Sequence, residues 1–135
     1  MPHTIDNRGV AAAEFALVAP VLVLLMLGCL DIGNYMQTSI RLERAARAGA
    51  QYAAANNSDL VAIRERVIAA WPELTTADVP LPTLSCECAA TVTACTQACP
   101  GGLMQTITVT ARRVLTTHLL PAAAQATGNA VLRLR

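Results

Sequence analysis

Val10 to Leu30 is a run of 21 residues that holds one charge, Glu14, among apolar and small side chains. A helix rises ~1.5 Å per residue, so this run covers about 30 Å, the hydrocarbon thickness of a bilayer. A chain of 135 residues has room for one small domain beside such a segment and no large core to hide it in. The feature therefore predicts a membrane helix. A carboxylate at the centre of a bilayer costs roughly 2.5–3.5 kcal/mol on insertion scales, so Glu14 calls for a partner.

The residues before the run are polar. Met1 to Gly9 contains Pro2, Asp6, Asn7 and Arg8, and it reads as a leader to be set aside from the fold. A secretory signal competes poorly, because Glu14 interrupts its apolar region. Met26-Leu27-Gly28-Cys29 approximates a lipobox, but Met is a poor first residue for one and the internal charge is wrong for it. Gly9, three alanines after Val10, then Glu14 and Phe15 form the segment GVAAAEF ahead of a long apolar helix. This resembles the processing signature of type IVb prepilins. The continuation EFALVAPVLVLLMLGCLDIG, followed by RAARAGAQYAAAN, is similar to the TadE-like pseudopilins of the Tad (tight adherence) pilus system. The resemblance covers Arg8 to Asn56.

The resemblance implies a minor pilin or pseudopilin that a prepilin peptidase cuts and that pilus assembly, and hence adhesion, requires. The processing residues would be Gly9, Val10, Glu14 and Phe15. Its partners would be the bacterial inner membrane, the peptidase, and the other pilins and Tad assembly machinery. The expected location is single-pass in the inner membrane, with the C-terminal domain extracytoplasmic. Incorporation in a surface pilus is left open.

The helix is expected to continue past Leu30. Asp31 to Ala55 lacks proline and is rich in Ala, Leu, Arg and Gln, which favour helix. Polar residues at Asn34, Gln37, Arg41, Arg44, Arg47 and Gln51 recur at steps of three and four. They oppose Tyr35, Ser39, Leu42, Ala46, Gly49 and Ala53. Ala45, Gly49 and Ala53 would let another element approach closely, most simply the chain's own domain. Pro20 removes one amide hydrogen, frees the carbonyl of Ala16 and predicts a hinge.

A second helix should follow Asn57. Ser58 can cap it and Asp59 suits its positive end. Leu60, Ile63, Val67 and Trp71 share one face, and Pro72 ends it. Thr75 to Thr83, with Pro80 and Pro82, reads as an extended loop. Leu84 to Ala89 reads as a strand, Gly101-Gly102 as a turn, and Leu103 to Arg112 as the clearest strand, with Ile107, Val109 and Ala111 on one side. Val114 to Ala126 is ambiguous around Pro121, and Ala130 to Arg135 reads as a closing strand. The fold class is thus α+β. A leader (1–9) precedes a transmembrane and amphipathic helix (10–56), then an extracytoplasmic domain (57–135) with a short helix and a small antiparallel sheet of three or four strands.

Of the five cysteines, Cys29 lies in the apolar span and reads as a small packed hydrophobe. Cys86, Cys88, Cys95 and Cys99 cluster. On a chain entering a membrane they read as two disulfides in an oxidising compartment, which a domain poor in large apolar residues needs. Three connectivities exist. Cys86 and Cys88 are awkward partners as same-face strand neighbours. Nested pairs, Cys88 with Cys95 and Cys86 with Cys99, suit a hairpin-like closure. Zinc is disfavoured, since C-x-C and C-x3-C spacings fit a thiolate site badly.

The net charge of +1 supplies no field for nucleic acid, and four aromatics are too few to stack single strands. His3 and His118 have no partner motif, and no phosphate loop or nucleophile elbow occurs. We therefore expect no enzyme, no cofactor, no metal and no small-molecule substrate. Arginine counting opposes the expected orientation, with Arg8 before the span and Arg41, Arg44 and Arg47 after it. The cysteines outweigh it, because a nine-residue leader gives that rule little to count. The competing class is a membrane-tethered module, bitopic or lipoprotein, whose stapled domain binds a partner.

Overall fold

The computed structural model describes residues 8–119 and 124–134. The expected leader lies mostly outside the described residues, as do His3, Pro121 and Arg135. Arg8 and Gly9 already belong to the first helix, α1 (Arg8–Ala55), which is 48 residues long and runs unbroken through Pro20. It ends where Asn56 donates its amide to the Tyr52 carbonyl.

α2 (Leu60–Ala70) begins one residue later than a Ser58 cap would place it. Asp59 is the cap, its Oδ1 accepting the Ala62 amide at 3.0 Å. A carboxylate there also meets the positive end of the helix, which a serine hydroxyl does not. Ile63 and Val67 are buried, and Leu60 and Trp71 pack partly against them. The following loop contains a tight turn in which Asp78 Oδ2 accepts from the Thr75 amide at 2.9 Å and its hydroxyl at 2.7 Å. These donors, the hydroxyl foremost, hold the Asp78 carboxyl below its ordinary pKa, and the Arg113 and Arg112 charges act the same way against partial burial.

Four antiparallel strands follow: β1 (Thr83–Cys88), β2 (Thr91–Thr93), β3 (Met104–Val114) and β4 (Gln125–Arg133). Their order is β2-β1-β3-β4. β4 starts five residues before the expected closing strand and pairs with β3 from Gln125↔Val114 to Arg133↔Thr106. Ala126, Gly128 and Ala130 face inward along it. Between β1 and β2 the chain reverses over Ala89 and Ala90 alone, both left-handed at φ 50° and 66°. Two successive positive φ values suit a two-residue hairpin, although non-glycine residues adopt them at some cost.

The core lies between the sheet and the C-terminal half of α1. Leu42, Ala45, Ala46, Ala50 and Ala53 meet Ile107, Val109 and Ala111 of β3, Ala126 and Ala130 of β4, and Ile63 and Val67 of α2. Small residues set the spacing. A Cβ on Gly128 would fall within the Leu42 and Glu43 backbone and 2.7 Å from the Leu42 Cβ. A Cβ on Gly49 would clash with Val67 and lie 3.4 Å from the Ile63 carbonyl oxygen. The helix rests on β4 and α2 almost backbone to backbone. The face containing Leu42, Ala46, Gly49 and Ala53 is buried as the spacing predicts, while Tyr35, expected on it, is 40 % exposed.

Candidate functional site

The N-terminal half of α1 carries the residues singled out for processing. Gly9, Val10, Glu14 and Phe15 lie on one continuous helix and all are exposed. Among the described residues nothing stands within 4 Å of where a Gly9 Cβ would be. Val10 and Glu14 are one turn apart, about 6 Å along the axis. Among the described residues Glu14 makes no ion pair. From Val10 to Met26 the large side chains are more than half exposed, Phe15 by 68 % and Leu22 by 53 %. Pro20 lies within this bare stretch and is exposed too.

This helix is long and apolar enough to cross a membrane, and only 6 % of its most apolar window is buried. A core helix of a water-soluble protein would be mostly covered. Cys29, expected to pack, is instead exposed on the surface of the span as a free thiol. The domain reaches the helix nearby, but on another face, at Leu27, Gly28 and Asp31.

Asp31, the first polar residue after the span, is 4 % exposed. Its carboxylate accepts the His118 amide at 2.9 and 3.1 Å and the Leu119 amide at 2.7 Å. A buried carboxylate is tolerated only with such donors. Sequence reasoning passed over this residue, and its sole signal there is an acid directly following the apolar run. His118 takes part through its backbone amide.

The cysteine cluster lies on β1, the β1–β2 hairpin and the turns after it. The bonds join Cys86 to Cys95 and Cys88 to Cys99, with Cα separations of 5.1 and 5.8 Å. The nested pairing is therefore wrong, and the hairpin explains why. Reversal at Ala89-Ala90 sets Cys88 opposite Thr91 and Cys86 opposite Thr93. The returning chain thus passes Cys88 at Thr91 and Cys86 at Thr93 before it has a cysteine to offer; Cys95, in the Ala94–Gln97 turn just beyond, meets Cys86, and the chain after that turn brings Cys99 to Cys88. All four sulfurs of the cluster are in disulfides. An open groove of about 780 Å³ borders this tip, with Glu87, Cys88, Cys99, Gly102 and Arg133 among its walls.

Arginines cover two of the aromatics. Trp71 lies between Arg41 at 5.9 Å and Arg113 at 5.1 Å, and Arg113 also pairs with Glu73 at 3.1 Å. Arg66 lies 5.1 Å from the Tyr52 ring. Arg47, on the expected polar face of α1, makes an exposed pair with Glu43.

No curated protein and no solved structure matches this chain. The family model described as TadE-like protein matches residues 9–51. That interval starts at the glycine of the expected cleavage site and ends within the buried half of α1. Over residues 9–51, the chain is therefore similar to TadE-like proteins.

Proposed function

We propose that the chain is a minor pilin-like component of a Tad pilus, with a structural and non-catalytic role. The single observation that carries this reading is the coincidence of the TadE-like match with a helix left bare by its own domain. In this reading the chain is single-pass in the bacterial inner membrane. Its disulfide-bonded domain faces the oxidising, extracytoplasmic side, consistent with where such bonds persist. A prepilin peptidase cuts between Gly9 and Val10. The absence of a side chain at Gly9 lets the backbone enter the peptidase closely.

Cleavage gives Val10 a positive amino group next to the Glu14 carboxylate. When subunits align, Glu14 of one meets the amino terminus of its neighbour. In an apolar setting that pairing offsets the desolvation of both groups and fixes the axial register. Pro20, in the middle of the span, leaves the Ala16 carbonyl without its helical donor and makes that turn the place where the rod can flex.

The mass of the mature N-terminus tests the reading. Loss of nine residues supports it, and Gly9→Leu should accumulate uncut precursor. Retention of the leader, or a diacylglycerol on Cys29, would overturn it in favour of a tethered binding module. Glu14→Gln keeps the side-chain shape and removes the charge. We expect this variant to be processed yet fail to join the pilus machinery. Assembly equal to wild type would sink the register role.

A further inference from the structure

The geometry points to a second membrane contact: the connection after β3 seats Leu119 in the bilayer beside the apolar span, and Asp31 holds it at that depth. This inference rests on the membrane reading of α1 and adds a lipid-facing element from the C-terminal domain.

Three observations carry it. The Asp31 carboxylate binds the amides of two successive residues, His118 and Leu119, that are 87 and 88 positions downstream. The Leu119 side chain then turns back along the helix, with its Cδ1 3.8 Å from the place a Gly28 Cβ would occupy. Leu27 and Gly28 are half-buried, unlike Cys29 and Leu30 beside them. Gly28 lies two residues inside the end of the Val10–Leu30 run, or about 3 Å along the axis. If that run fills the hydrocarbon, Leu119 sits just inside its boundary. Leu119 is still 47 % exposed, so the side away from Gly28 is open to lipid.

The occupant of that open side is acyl chain rather than protein, because the surface is continuous with the bare span at the same height. Irregular backbone is tolerated at such depth only when its polar groups are paired. The Asp31 carboxylate pairs two amides that would otherwise oppose entry. A Cβ at Gly28 would lie at ordinary contact distance from Leu119 Cδ1, so the leucine already rests against the helix surface at this level.

The test uses the full chain in phosphatidylcholine vesicles, with lipid brominated near the top of the acyl chain as quencher. The wild type has one tryptophan, Trp71, placed in the domain and serving as reference. Leu119→Trp should add a blue-shifted emission that brominated lipid quenches several-fold more than it quenches the wild type. Val131→Trp, at an exposed position farther along β4 from the loop, should behave as wild type. Adding Asp31→Ala to Leu119→Trp should reduce the quenching toward the wild-type level. If the chain floats with vesicles but Trp at 119 is unquenched, the contact is overturned while the anchor stands. That is also the outcome if another copy covers Leu119. Quenching unaltered by Asp31→Ala overturns the clamp. A chain that fails to float overturns the contact and the membrane reading together.

Discussion

Leu22 and Leu42 belong to one uninterrupted helix, yet Leu22 is 53 % exposed and Leu42 is fully buried. The backbone is the same at both places; the neighbours differ. Around Leu42 the helix is built of small residues, and α2, β3 and β4 close on it. Around Leu22 it is built of branched and long apolar residues that no other described element covers. The domain half thus has its solvent supplied by its own fold, whereas the bare half must find its solvent elsewhere. Helix propensity does not account for the bare half, whose valines are mediocre helix formers in water. The apolar environment does, by making an unpaired backbone costly.

Alanine substitution breaks this comparison most sharply. Leu42→Ala should cost about 2–5 kcal/mol of domain stability, because the cavity it leaves is closed on all sides. Leu22→Ala should leave domain unfolding within about 0.5 kcal/mol of wild type. Denaturant melts of both variants in detergent provide the check. Equal losses would mean that the bare half is covered by the domain after all.

A smaller effect is expected from Gly128→Ala. The added methyl meets the Leu42 and Glu43 backbone, which cannot rotate aside as a side chain could, so we expect a loss of about 1–3 kcal/mol. Gly33→Ala, with nothing within 4 Å, should be neutral or slightly stabilising in the same melt, since alanine favours helix. Neutral Gly128→Ala would show that the helix can lift from β4.

The smallest effect sharpens the comparison on the domain side. The folded Asp78 pKa lies below its ordinary value of 3.8. Its contribution to stability is therefore present above that value and is lost as pH falls through the folded pKa. Much of the group is in contact with water, so the change should be slight. Melting temperatures of wild type and Asp78→Asn should draw together as the pH falls through that window. A gap that stays constant would show that the turn owes nothing to the charge.

The rod was legible because its composition changes abruptly at Asp31 while its helix formers do not. α2 and β3 were legible from the spacing of Ile63 and Val67 and the alternation of Ile107, Val109 and Ala111. The β1–β2 hairpin was not, since Ala89-Ala90 offers no glycine or asparagine to mark two left-handed residues. The disulfide pairing inherited that omission. β4's first half was obscured because Ala126 and Gly128 are inward-facing without being large, having been selected by close approach to α1. Gly9, Val10, Glu14 and Phe15, proposed for processing, fall on the bare part of the helix. Asp31 was not legible, because its partners are backbone amides, which any sequence supplies.

The crossed disulfides have a consequence for how the domain would withstand a protease. The loops closed by Cys86–Cys95 and Cys88–Cys99 overlap. A single cut anywhere from Cys86 to Cys99 therefore falls inside at least one closed ring. Between Cys88 and Cys95 it falls inside both. A nicked tip stays covalently attached to the strands on either side, so clipping this exposed end would not release β3 and β4 from the rod.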